Sequence, residues 1–193
     1  MKRRRTRRTA RSLFDEREKI MANQTESTNL ISTDAIEKVR KLLPAFRSAM
    51  MVSLTDGGSL RARPMGLQGD PKEFDGLLWF FTAKDSGKLK QAETNSKVCL
   101  TFQNDGDSQY LYLEGTAKEV EDKGMMEKLY TPVVRTWFPG GLQDPNLTLL
   151  RFEAEHGAFW ESPGGVVQLM AAFAKSVMTG KAGAGGNTGE LQL

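Results

Sequence analysis

The chain has 193 residues, with 27 Lys and Arg against 24 Asp and Glu, a formal charge of +3 and a pI near 9.0. Its one cysteine excludes an intramolecular disulfide framework and a multi-cysteine zinc site, and no apolar run approaches the roughly 20 residues of a membrane span. A single histidine, His156, argues against hydrolases built on a nucleophile–histidine pair, so any chemistry is expected from a cofactor.

The basic balance is local. Residues 1–20 hold nine Lys and Arg and three acids, or +6, and the remaining 173 residues carry 18 basic and 21 acidic groups, or −3. Ser12-Leu13-Phe14 runs straight into Asp15-Glu16, which breaks the apolar stretch a secretory signal needs. The expectation is a cytoplasmic protein with no membrane partner. Three readings compete for the basic arm: a tail that touches nucleic acid, an organelle transit peptide, or an inert extension ahead of a start at Met21-Ala22-Asn23-Gln24. The last is favoured. Residues 1–33 are therefore set apart from a domain over 34–178, with a flexible Gly-rich tail over 179–193.

In chain order, Thr33 or Asp34 can cap a helix whose apolar stripe is Ile36, Val39, Leu42 and Leu43, ending near Pro44. Strand-type sequence follows at 49–55. Asp56-Gly57-Gly58 is a hairpin turn, and the partner strand runs from Leu60 through Arg61-Ala62-Arg63-Pro64-Met65-Gly66-Leu67. Leu77-Leu78-Trp79-Phe80-Phe81-Thr82 reads as a strand apolar on both faces. Ser86-Gly87-Lys88 opens a short helix through Leu89 and Ala92 to about Asn95. Strands follow at 98–102 and 110–117, with Gly115 marking a bulge or a close backbone approach. A helix spans about Lys123 to Tyr130. Trp137-Phe138-Pro139-Gly140-Gly141 forms a turn-rich loop, and 147–152 and 158–161 read as two further strands. The stretch 166–178 has a helical apolar face. No β-α-β alternation recurs. The fold class is mainly β, an antiparallel barrel with peripheral helices.

Two constellations suit an anion. Arg61 and Arg63 point to one face of their strand, and Arg is the side chain shaped to fork around phosphate or carboxylate. Thr82-x-x-x-Ser86-Gly87-Lys88 sits where a buried strand meets a helix N-terminus, which offers free N–H groups and a favourable dipole. Alone, the arginines read as a solvated edge hairpin and Ser86 as a helix cap; together they favour a phosphate. Cys99, mid-strand, reads as buried and inert, and His156 as a surface residue. No metal site is expected: Asp105 and Asp107 are only a fragment of a calcium loop.

The order of Arg-Pro-Met, Phe-Phe-Thr and Ser-Gly-Lys resembles the flavin-binding region of the pyridoxamine 5′-phosphate oxidase-like split barrels. Trp-Phe-Pro-Gly-Gly…Asp-Pro and Phe-Trp-Glu resemble its general stress protein 26 branch. The resemblance covers about 34–178. It implies a six-stranded antiparallel split β-barrel that forms a homodimer, with FMN at the subunit interface; FAD or a deazaflavin is the lesser option. It implies that Arg63, Pro64 and Met65 run along the flavin, with Arg63 toward the phosphate and Arg61 assisting. Phe81 and Thr82 would hold the ring edge and ribityl chain, Ser86 and Lys88 the phosphate, and Trp137 and Trp160 would cover the ring. It implies no particular catalytic residue. True pyridoxamine 5′-phosphate oxidases carry a Trp- and Arg-rich C-terminal segment, whereas no arginine follows Arg151 here, which argues against that substrate. The functional readings are a flavin-dependent oxidoreductase linked to stress, a flavin-binding module without turnover, and a nucleic-acid binder working through the basic arm.

Overall fold

A computed structural model of the chain describes residues 30–31, 33–161 and 187–193. The basic arm, the expected helix over 166–178 and the first glycines of the expected tail lie outside the described residues. Strand β1 (Leu30–Ile31) precedes helix α1 (Thr33–Leu42), which already contains Thr33 and Asp34. Ala35, Val39 and Leu42 are buried on its inner face, and Ile36 packs half-buried beside them. A turn of 3-10 helix, Leu43–Ala45, then takes Pro44 at its start, where a missing N–H costs nothing.

Strands β2 (Ser48–Leu54) and β3 (Leu60–Gly66) pair antiparallel from Ser48↔Gly66 to Leu54↔Leu60. Gly58 closes their turn at φ +74°, a left-handed conformation that glycine adopts freely. Strand β4 (Leu77–Ala83) and helix α2 (Gly87–Thr94) follow, then β5 (Lys97–Asn104) and β6 (Gln109–Val120). Helix α3 (Lys123–Leu129) starts at Asp122, whose side chain accepts from the Met125 N–H at 2.9 Å. Strand β7 (Leu147–Glu161) and strand β8 (Asn187–Gln192) complete the described chain.

The sheet order is β1-β8-β7-β6-β5-β2-β3, with β4 paired to β7. The six strands β2 to β7 form an antiparallel barrel, as the sequence predicts. Strand β4 lies at one end of this run and β3 at the other. A single bridge, Gln68↔Trp79, joins the two ends, with Gln68 N–H donating to Trp79 O at 3.0 Å. Extending that register would set Met65 against Thr82, but the ladder does not continue. The barrel is split there. Inside it, Met51, Phe80, Leu100, Leu113, Leu150 and Phe152 are at most 1% exposed. Burying side chains of this size contributes about 1.5–3 kcal/mol each.

Two expectations need correction. The segments 147–152 and 158–161 are one 15-residue strand, not two. Its first half pairs with β4, its second with β8, and β6 runs along both. Gly157, which suggests a break in sequence, lies inside the ladder: a Cβ there would sit 2.4 Å from Tyr112 O. The expected flexible tail is likewise a strand over Asn187–Gln192. Gly189 and Leu191 point inward while Asn187, Glu190 and Gln192 are exposed, the alternation of a half-buried strand.

Gly115 meets its expectation. The β6–β7 register shifts between Glu114 and Gly115, and a Cβ at Gly115 would fall 1.9 Å from Glu153 O. Backbone cannot yield as a flexible side chain can. Gly115→Val should therefore destabilise the domain by about 3 kcal/mol, and a melting curve should place its midpoint about 6–12 °C lower. An unchanged midpoint would mean that the two strands are further apart than described.

Candidate functional site

Side chains 61, 63 and 65 of β3 share one face. Along that face Arg61 is exposed, Arg63 half-buried and Met65 buried at 5% exposure. Arg63 therefore stands where solvent gives way to the barrel interior. Ser53, buried at 3% exposure, lies beside it on β2, where Met51 is the direct partner of Arg63. Arg63 Nη2 donates to Ser53 Oγ and to Gln91 Oε1, each at 2.7 Å, and Nη1 donates to Arg61 O at 2.7 Å. Ser53 Oγ in turn donates to Gln91 Oε1 at 2.6 Å.

Helix α2 closes this end of the barrel. Leu89 and Ala92 face inward, which leaves Lys88 and Gln91, three residues apart, on a common polar face. Ser86 occupies the N-cap position in extended conformation, yet its side chain makes no cap hydrogen bond. Its Oγ instead lies 3.3 Å from Thr82 Oγ1 on β4. The first N–H groups of α2 have no partner within the helix. Two hydroxyls thus meet at the N-terminus of the helix that carries the lysine.

The electrostatics are those of an anion site. Burial pulls the Lys88 ammonium below its ordinary pKa, and the positive charge of Arg63 pulls it further. Burial also lowers Arg63. Among the described residues neither cation forms an ion pair with a carboxylate, although Lys38, Arg40, Lys84, Lys97, Lys128 and Arg151 all do. Two half-desolvated cations held close without a counter-charge are unfavourable unless an anion meets them.

The remaining predicted residues are dispersed. Pro64 is exposed on the β3 lip of the split and contributes no N–H to a ladder. Phe81 and Thr82 lie on the other lip but face opposite ways, since β4 alternates. Thr82, 2% exposed, faces the cations' side, while Phe81 packs edge-on against Tyr130 with ring centroids 6.5 Å apart. Tyr130 Oη accepts from Arg135 Nε at 3.2 Å, which ties Phe81 to the loop of Trp137. Trp137 itself is 79% exposed among the described residues. Trp160 stacks on Tyr112 on the outward face, near the far end of β7 from the Thr82–Thr148 pair.

Ser53 and Gln91 are site residues that the sequence reading missed. The available signals were a serine at an inward position after Ala49 and Met51, and a glutamine one turn after Lys88. Cys99 corrects the expectation of a buried side chain. It is half-buried on the outer face, in a cross-strand row with Val52, Glu114 and His156 beside a shallow cleft of about 350 Å³. Burial and the Glu114 charge push its thiol pKa up, which disfavours the thiolate.

A profile of the family described as pyridoxamine 5′-phosphate oxidase like matches residues 34–183. Protein bli-3 of Neurospora crassa is 29% identical over 133 residues, 64% of this chain; the match spans 63% of the length of that relative. A structure assigned to general stress protein 26 of Jannaschia sp. CCS1 superposes with a TM-score of 0.69 at 26% identity, covering 84% of this chain and 99% of that one. The general stress FMN/FAD binding protein of Xanthomonas citri gives a TM-score of 0.55 at 34% identity, over 66% of this chain and 89% of that one.

The crowded cations lead to a stability prediction. A lysine whose folded pKa is lowered costs stability below that pKa, and the cost vanishes as pH rises to the unfolded value, about 10.5. Half-exposure screens the effect to about half a kcal/mol. Lys88→Met should raise the melting midpoint of the ligand-free protein by about 1–2 °C at pH 7 and low salt. The gain should shrink toward pH 10. A lower midpoint at pH 7 would mean that Lys88 has a stabilising partner.

Proposed function

The chain belongs to the pyridoxamine 5′-phosphate oxidase-like family, and we propose that it binds FMN in the split between β3 and β4, with the phosphate at Arg63 and Lys88. One observation carries this reading: two half-buried cations without a carboxylate partner among the described residues, beside a helix N-terminus. Ser86 and Thr82 add hydroxyls, and Arg61 extends the positive field toward solvent. The Pro64–Met65 lip and the Phe81–Thr82 lip have unpaired backbone facing the split, which suits the polar edge of a flat ring. A compact corner of this kind fits a terminal monophosphate better than the bridging diphosphate of FAD.

Bound flavin would supply hydride acceptance and donation. The chain's own groups here are guanidinium, ammonium, hydroxyl and amide, which bind and orient. None of them is a carboxylate or an imidazole, the groups that most often move a proton. That composition favours a second reading, a flavin carrier or sensor without turnover. Oxidation of NADH or NADPH by the holoprotein separates an oxidoreductase from a carrier.

The proposal includes a cytoplasmic homodimer. Met50, Tyr110 and Trp160 are 41%, 38% and 44% exposed on the outer surface of the barrel, with Thr101 and Gln103 between them, a mixed face that a second copy would cover. Trp160 could then reach a ring only across the interface, at the partner's split, and exposed Trp137 would gain a contact in the same way. Among the described residues no helix is long and apolar enough to cross a membrane.

The purified protein should be yellow and release FMN on denaturation. Arg63→Ala with Lys88→Ala should weaken FMN by about 100-fold or more, as expected for two charge-assisted contacts, while riboflavin affinity changes little. A colourless protein that ignores added FMN would overturn the reading. Sedimentation should give about twice the 21.4 kDa chain mass, and Trp160→Lys should shift the protein toward monomer and weaken FMN. A monomeric holoprotein would remove the interface from the proposal.

A further inference from the structure

A buried or half-buried arginine is usually held by a carboxylate, which cancels its charge. Arg63 is held differently. Both hydrogens of Nη2 are taken by neutral acceptors, Ser53 Oγ and Gln91 Oε1, and Nη1 is steadied by Arg61 O of its own strand. The guanidinium is fixed in place and keeps its full charge. Nε–H and one hydrogen of Nη1 remain to donate.

Gln91 is the hub. Its Oε1 accepts from both Arg63 and Ser53. An amide turned the other way would set its NH2 against the guanidinium donors, so the arginine dictates which end faces it. The Gln91 Nε2 group consequently points away from Arg63. It lies 4.0 Å from where a Cβ on Gly87 would sit, at the first turn of α2, next to Lys88. That is the turn whose free N–H groups would meet a phosphate.

We propose that Gln91 and Ser53 are positioning residues for phosphate recognition. They form a neutral clamp that orients Arg63 without neutralising it, and Gln91 Nε2 supplies a further uncharged donor. The inference rests on the FMN reading of the split. Its chemical consequence is selectivity for the phosphorylated flavin over the unphosphorylated one, because a clamp of the same shape carrying a carboxylate would pair with Arg63 and repel the phosphate.

The test compares FMN and riboflavin binding, by fluorescence quenching, to wild type, Gln91→Glu and Ser53→Ala. Gln91→Glu should weaken FMN by about 30-fold or more, as expected for the loss of a charge-assisted contact and a new like-charge pair, with riboflavin within about twofold. Lowering the pH should protonate the new carboxyl and narrow the gap between Gln91→Glu and wild type. Ser53→Ala should weaken FMN by a smaller factor and spare riboflavin. Equal losses for FMN and riboflavin, or an unchanged FMN affinity in both variants, would overturn the clamp while leaving the FMN reading intact. A wild type that binds neither flavin would overturn both.

Discussion

One backbone bridge sets the geometry on which the site depends. Gln68 pairs with Trp79, and beyond that rung β3 and β4 part. A fully closed barrel would bury the backbone groups of both lips in a ladder. A fully open one would leave Arg63 on a free edge strand, solvated and far from β4. A single rung does neither. It holds the lips close enough for Arg63, Thr82 and Lys88 to share one corner, and far enough apart that their backbone edges stay available. Pro64, which cannot donate to a ladder, sits on the lip that must remain unzipped.

The corner is positively charged by construction. Elsewhere six of the described lysines and arginines pair with carboxylates, as in Lys97–Glu155 and Lys84–Glu121. At the split, Ser53, Gln91 and the Arg61 carbonyl take the acceptor role. They satisfy hydrogen bonds of Arg63 without changing the net charge. The repulsion this leaves between Arg63 and Lys88 is a modest cost in the free protein, which an anion placed between them would relieve. The body of the chain is acidic overall, so this small basic corner is a local exception in sign as well as in burial.

Local chemistry was legible in the sequence, and long-range geometry was not. The hairpin could be read from Asp56-Gly57-Gly58 because a positive φ is a property of the turn itself. The start of α2 at Ser86-Gly87 was legible from the residue types at a helix start, and the bulge at Gly115 from a glycine inside a strand. The unity of β7 was not, since a glycine at 157 signals a break unless the approach of Tyr112 O is known. The closing strand β8 was hidden by glycines that precede it. Ser53 and Gln91 were hidden because their meeting with Arg63 joins residues 10 and 28 positions apart from it. A serine and a glutamine look like ordinary surface residues until the fold turns them inward. Phe81 and Thr82 were adjacent in the motif, yet the strand sends their side chains to opposite faces.

The shared strand β7 also has a consequence for how the chain folds. The β2–β3 hairpin and the β5–β6 pair join neighbours in sequence, so their contacts are local and form early. The β4–β7 ladder joins Thr82 to Thr148 and must close a long loop before it yields any stabilisation. Until it forms, β4 has nothing but the Gln68 bridge and the start of α2 to hold it. The two lips of the split therefore differ in the chain length their pairing must close, short for β3 and long for β4. The cationic corner draws on both lips, so it is complete only once the long loop between β4 and β7 has closed, and not when the hairpin that carries its arginine does.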